Sequence, residues 1–408
     1  MNVYIVGAGP GNPDLLTREA QQALVEADRV VSTPRLAAQF GSLNSRIQTV
    51  DTGSLEKAVL EAQGECERVA VLVSGDPGFF SAAMRLRDGL ERAGIATHSL
   101  CGLSSLQYFC AKLGLRYERM KLISLHGRSG SLVPHVCYNP EVFALTGGEI
   151  KAHTAVAELV EAGLGDVRVW IGENLGSHTD GAAERIVTGT ARELCTERFA
   201  DLACLIVHNE RCVDRYESVS DEDFVRGDAP MSKRSVRALA LTLLNIHPED
   251  TVLDIGAGTG AVTVEMARRA HSGRVFAVER NVAALELLRQ NRERFGAYNI
   301  TVVPGHAPEA LKELPAADRV FIGGSGGNLD AIVRSVYAKK AEACVVITAV
   351  TLETLHEAVQ VLSSAGREPE VTCLNVANAH KAGRYHLMKA ENPIYVIKAG
   401  SSGMNSHE

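Results

Sequence analysis

The sequence predicts an α/β protein of two domains, and three observations lead there. Short apolar runs alternate with helix-like stretches along nearly the whole chain, the pattern of mostly parallel sheets covered by helices. Two of those runs end in glycine-rich turns, Gly7-Ala8-Gly9-Pro10-Gly11 and Gly256-Ala257-Gly258-Thr259-Gly260. The length, 408 residues, is enough for two cores.

Taken in order, the first strand is predicted over 3–6, followed by a helix over 17–27 and a strand over 29–32. A strand over 69–73 runs into Ser74-Gly75-Asp76-Pro77-Gly78-Phe79-Phe80, a tight turn. Strands over 142–145 and 167–171 each run into glycines, and 202–207 closes this half. Residues 210–228 hold turn formers and the acidic Ser220-Asp221-Glu222-Asp223 without periodicity. Domains are therefore expected over 1–210 and 229–408, with a linker over 211–228. Ser232 is predicted to cap a helix whose Val236, Leu239, Ala240, Leu243 and Leu244 share one face. The alternation restarts with a strand over 251–255, a helix over 261–270, a strand over 274–278, a helix over 282–294 and a strand over 300–303. Strands near 318–322, 343–348 and 393–397 complete this second unit. The two glycine turns sit in different contexts, so the halves are not copies of one fold.

Composition narrows the function classes. With 46% apolar and 22% charged residues the chain is globular, and its formal charge of -7 speaks against nucleic acid as a partner. No stretch approaches the roughly 18 apolar residues of a membrane span. The N-terminus runs straight into a strand, without the marks of a secretion signal. Nine cysteines without a C-x-x-C pair suggest neither a disulfide frame nor a metal site, and a cytoplasmic location is expected. Cys101, Cys110, Cys204 and Cys344 sit in apolar contexts and are expected in the core.

The second glycine turn is built for a ligand lying across a strand end. Glycines admit close backbone approach, and the following helix N-terminus favours polar groups. Glu279 closes the next strand, where a carboxylate can bond ribose hydroxyls. The local spacing fits NAD as well. Asp254 before the first glycine tilts the choice to S-adenosylmethionine, and Gly323-Gly324-Ser325-Gly326-Gly327-Asn328 supplies a glycine-rich floor beside it. The first turn fails as a dinucleotide fingerprint. Asn12 stands where glycine or alanine is needed and Pro13 follows at once, Pro10 lacks an amide, and the second strand ends Val30-Val31-Ser32-Thr33-Pro34 without a carboxylate.

Several stretches taken together carry a resemblance. Ala229-Pro230-Met231-Ser232-Lys233, Asp254 to Gly260, Gly305-His306-Ala307-Pro308-Glu309 and Phe321 to Leu329 resemble the decarboxylating precorrin methyltransferases of cobalamin synthesis. Val6 to Thr17, Val73 to Phe80, Gly102-Leu103-Ser104-Ser105-Leu106-Gln107, Ser124-Leu125-His126-Gly127-Arg128 and Gly172-Glu173-Asn174-Leu175-Gly176 are similar to the tetrapyrrole methylases, in the branch acting on carbon 5. The resemblance implies a two-lobed tetrapyrrole methylase fold followed by a Rossmann-like class I methyltransferase domain. It implies methylation of precorrin-6B at carbons 5 and 15 with decarboxylation of the ring C acetate, giving precorrin-8. A cobalt-containing substrate is compatible with it. S-adenosylmethionine in two sites, one per domain, a small-molecule partner and a homo-oligomer are implied as well.

Residue by residue, the cofactor contacts implied in the first half are Gly75, Asp76, Pro77, Phe79, Leu103, Ser104 and Ser105. In the second half they are Ser232, Asp254, Gly256, Ala257, Gly258, Thr259, Gly260, Glu279, His306 and Ala307. His306 stands where such families often place Asp or Asn. Substrate contacts are implied at Gly9, Pro10, Gly11, Arg128, Met231, Lys233, Gly324, Ser325, Gly326, Gly327 and Asn328. The acceptor is an electron-rich ring carbon, so no covalent nucleophile is needed. Asp76, His126 and Glu173 are the candidates for holding a proton, each with a turn-capping reading beside it. A substrate with many carboxylates calls for cations, and Lys233, Arg234, Arg237, His380, Lys381 and Arg384 are available.

Overall fold

The computed structural model describes residues 1–127, 130–177 and 183–400. The chain forms two compact units, 1–130 with 141–160 and 165–208, and 131–140 with 161–164 and 209–408.

In the first unit a five-stranded parallel sheet runs in the order Ile47–Thr49, Arg29–Ser32, Arg68–Val73, Asn2–Gly7, Ala96–Leu100. Its strands alternate between two covered faces. Val3, Ile5, Val69 and Val71 pack with Val59, Leu86 and Leu90 on one side. Val6, Val30, Ala70 and Leu72 pack with Leu24, Leu36 and Phe40 on the other. The predicted first helix is Arg18–Glu26, started by Thr17, whose hydroxyl accepts the Ala20 amide at 3.1 Å. A second five-stranded sheet runs Lys121–Ser124, Glu141–Leu145, Ala203–His208, Arg168–Glu173, Arg185–Thr190. This sheet is mixed: only its first pair is parallel, so the expectation of parallel sheets holds for one lobe and not for the other.

The second unit is built on a seven-stranded sheet. Ile300–Pro304, Arg274–Glu279, Thr251–Ile255, Arg319–Ile322 and Cys344–Ala349 are parallel, and Ile394–Ala399 joins antiparallel with Glu370–Leu374 at the edge. Val252, Ala277 and Phe321 point into one apolar layer, Leu253, Ile255 and Ile322 into the other. A separate hairpin, Ala377–Ala382 with Tyr385–Ala390, is exposed at every position. Among the described residues no helix is long and apolar enough to cross a membrane.

Two local expectations are corrected. The helix predicted to start from a Ser232 cap is Arg234–Leu244, and Lys233 occupies the cap position without a side-chain bond. Cys110, Cys204 and Cys344 are buried, but Cys101 is exposed. It follows Leu100, the last residue of an edge strand, and so lies beyond the core.

Candidate functional site

In the first unit, loops leaving three adjacent strands converge at the carboxyl edge of the parallel sheet. Gly9 and Gly75 exchange backbone hydrogen bonds of 3.1 and 2.8 Å, so the opening loop and the Gly75-Asp76-Pro77 turn hold one another. Gly102 closes on both, since a Cβ there would lie 2.6 Å from the Gly7 carbonyl oxygen and overlap that of Gly75. Only a glycine leaves this room. Asp76 binds the third side: one carboxylate oxygen accepts the Gly78 amide at 2.8 Å, the other the Gly102 amide at 3.1 Å. Ser104 is buried and caps the helix Ser105–Leu113, with Gln107 returning the bond to the Ser104 amide at 3.0 Å. Leu103 is thereby set beside Gly9, its carbonyl oxygen 3.8 Å from where a Cβ on Gly9 would be.

From the mixed sheet, the loop after Glu173 reaches the same edge. A Cβ on Gly176 would lie 2.8 Å from the Pro10 ring. The Glu173 carboxylate is buried, pairs with Arg185 and accepts the Ala200 amide. His126 sits over Gly147 with its Nδ1 3.4 Å from the Thr146 carbonyl. Asp76 and Glu173 thus have both oxygens engaged by protein donors. The Phe79 ring leans on Phe143, centroids 5.9 Å apart, and helps cover the second lobe's core. Arg128 lies outside the described residues.

In the second unit a cavity of about 320 Å³ opens at the end of the central strand. Gly256, Gly258 and Gly260 have φ of 73°, 56° and 80°, a left-handed conformation that disfavours side chains. A Cβ on Gly256 would meet the Gly324 carbonyl oxygen at 2.7 Å, so the cradle and the glycine-rich floor touch through backbone alone. Glu279 braces the cradle from the next strand: one oxygen accepts the Gly258 amide at 2.9 Å, the other those of Arg280 and Asn281 at 2.8 Å. Asp254 is fully buried beneath, accepting the Thr263 hydroxyl. Burial pushes its carboxyl up to about 7; the Thr263 bond opposes this and the nearby Glu279 charge adds to it. One Asp254 oxygen and the Thr259 hydroxyl are buried without a partner in the protein, and both residues line the cavity. Unsatisfied polar atoms at a cavity wall fit a polar ligand there.

Most of the residues expected in this half come together. Met231, Ser232, Asp254, Gly256, Ala257, Gly258, Thr259, Glu279, His306, Ala307, Gly324, Ser325, Gly326 and Asn328 line the cavity. Gly260, Gly327 and Lys233 do not: the Gly260 position faces Leu288, and Lys233 is exposed at the start of its helix. Arg237, offered as a substrate cation, is fully buried instead. Its guanidinium pairs with Asp221 and Glu265, each at 2.5 Å, and donates to the Ser232 carbonyl at 2.8 Å. Helical spacing places it on the apolar face beside Val236 and Ala240, which the charge alone concealed. His380, Lys381 and Arg384 belong to the exposed hairpin. The cavity also takes in Pro230 and Phe321, which lie within the resembling stretches but carry no site role there, and Arg280, which no motif singles out. For Arg280 the only signal is its place directly after Glu279.

Comparison with known proteins finds relatives of both halves of the chain. Residues 2–195 match the family model of tetrapyrrole (corrin/porphyrin) methylases, and residues 223–399 match the precorrin methyltransferase domain. A precorrin-6Y C(5,15)-methyltransferase [decarboxylating] of Sinorhizobium sp is 30% identical over 86% of this chain and 84% of its own length. A cobalt-precorrin-6B C(15)-methyltransferase (decarboxylating) of Salmonella typhimurium is 40% identical over 44% of this chain and 94% of its own. A crystal structure of precorrin-6y C5,15-methyltransferase from Geobacter metallireducens covers 45% of this chain and 98% of that one, at 40% identity and a TM-score of 0.44. The class is thus an α/β methyltransferase in which a tetrapyrrole methylase and a precorrin methyltransferase domain share one chain. The chain belongs to the family of decarboxylating precorrin-6Y C(5,15)-methyltransferases.

Proposed function

We propose that the chain methylates precorrin-6B at carbons 5 and 15 and removes carbon dioxide from the ring C acetate, giving precorrin-8, with metal-free or cobalt-containing substrate. Residues 1–210 carry the carbon 5 reaction, 229–408 the carbon 15 reaction and the decarboxylation, and 211–228 join them. The observation that carries this reading is the glycine cradle braced by Glu279, at the end of a strand whose Asp254 is buried. It fits the nucleoside and amino-acid ends of S-adenosylmethionine. When bound, that cofactor supplies an electrophilic methyl group at each of two sites.

The chain's own groups position the reactants and exclude water. Glycines 256 to 260 admit the ligand to the backbone, and Glu279 offers its remaining lone pairs to ribose hydroxyls. His306 and Ala307 flank the base, while Gly324 to Asn328 form the substrate floor. In the first unit Gly75 to Pro77 and Leu103 to Ser105 hold the cofactor beside the Gly9-Pro10-Gly11 loop. Asp76 and Glu173 act by fixing loops, which leaves His126 as the group to hold a proton. The exposed hairpin supports a homo-oligomer, since a lone two-stranded hairpin is marginal in water.

Incubation with isotopically labelled S-adenosylmethionine and precorrin-6B tests the reading by product mass. Transfer of two methyls with loss of carbon dioxide is expected; one methyl, or retention of the carboxylate, overturns it. Calorimetry adds a check that needs no turnover, because S-adenosylhomocysteine must bind more tightly than NADH.

A further inference from the structure

Arg280 stands out at the mouth of the second unit's cavity. Its backbone is fixed, because the Arg280 and Asn281 amides both donate to Glu279. From there the side chain crosses the end of the central strand and lies on the glycine-rich floor. Its Nη1, Cζ and Nη2 are 3.1, 3.5 and 3.8 Å from where a Cβ on Gly326 would be. The planar guanidinium therefore fills the space that the absent side chain leaves. Among the described residues lining this cavity Arg280 is the one permanent cation, and it has no carboxylate within ion-pair distance.

The surrounding charge makes this placement consequential. Glu279 lines the cavity with Asp254 buried beneath it, so a ligand carrying carboxylates meets a negative group at the strand end. A guanidinium at the mouth supplies the opposite sign, and its fork of donors matches one carboxylate in two parallel bonds. We infer that Arg280 recognises a carboxylate arm of the tetrapyrrole and orients the ring over the Gly324–Asn328 floor. Gly326 is its seat. This rests on the carbon 15 and decarboxylation reading of the second unit. Arg280 is a specificity residue on the substrate side, and the cofactor is held without it.

The test measures carbon dioxide release by the full chain in the native form and in Arg280→Met, Arg280→Lys and Gly326→Ala. The position is exposed, so the Arg280 variants fold. Arg280→Met is expected to raise KM for carbon dioxide release roughly tenfold with kcat within about threefold, as for loss of one charge-assisted contact. Its KM should rise less steeply with salt than that of the native chain. Arg280→Lys restores part of the loss, and Gly326→Ala, whose methyl presses on the guanidinium at 3.1 Å, raises KM in the same direction by a smaller factor than Arg280→Met. S-adenosylhomocysteine affinity by calorimetry stays within about twofold in both Arg280 variants. An unchanged KM in Arg280→Met overturns the inference, and so does weakened S-adenosylhomocysteine binding with KM intact, which would place Arg280 on the cofactor. A native chain that releases no carbon dioxide defeats the parent reading instead, a result distinct from either.

Discussion

Glu279 accepts the Gly258 amide at 2.9 Å, joining the end of one strand to the glycine loop of its neighbour. The same carboxylate holds the turn that follows it through its second oxygen. On the proposed reading, cofactor affinity and loop order are properties of one group. Glu279→Gln presents a donor to one of these amides, so S-adenosylhomocysteine affinity should fall at least about tenfold, with some loss of thermal stability. Calorimetry that finds native affinity in this variant refutes the assignment.

Asp254 gives a pH signature. Its carboxyl is shifted upward, from the ordinary 3.8 to about 7, by burial first. The folded state then binds the proton more tightly than the unfolded chain, so this group's contribution is full below about 4 and is lost as pH rises through 7. Asn at this position carries no charge and keeps the Thr263 bond. The melting temperature of Asp254→Asn relative to the native chain should rise between pH 4 and pH 8. A difference that stays flat across that window contradicts the buried, proton-binding carboxyl.

Arg237 tests how the segment before the cavity is held. Its removal leaves Asp221 and Glu265 facing one another without their cation and frees the Ser232 carbonyl. Arg237→Met should destabilise the chain by about 3 kcal/mol, the range for breaking a buried pair. Chemical denaturation is the measurement. Arg237→Lys should recover only part, since one ammonium cannot serve three acceptors lying in different directions.

The exposed hairpin makes a prediction about assembly. Tyr385 and Leu387 share a face and are 59% and 61% exposed. Tyr385→Ser with Leu387→Asp should lower the mass seen by light scattering while leaving S-adenosylhomocysteine affinity in place. A native chain that is already monomeric sinks the proposal of a homo-oligomer.

What was legible in the sequence follows a physical rule. Thr251 to Ile255 and Arg274 to Glu279 are covered on both faces, so their apolar runs mark them plainly. The glycines after the central strand were readable because only glycine fits there. Edge and exposed strands were not: Ala96–Leu100 reads ATHSL, and Tyr385–Ala390 alternates no apolar face toward a core. Motif order brought Asp254, Glu279 and His306 together. Helical spacing put Arg237 on the apolar face and its charge hid this, but spacing could not say that Arg280 reaches Gly326, because it fixes the backbone position and not the direction of a long exposed side chain.

The paired bonds between Gly9 and Gly75 have a thermodynamic consequence. Two loops tied amide to carbonyl in both directions share any distortion, so a ligand that shifts one shifts the other. Reciprocity then requires equal factors: however much an occupant of the opening loop alters affinity at the Gly75 turn, an occupant of that turn alters affinity at the opening loop by the same ratio.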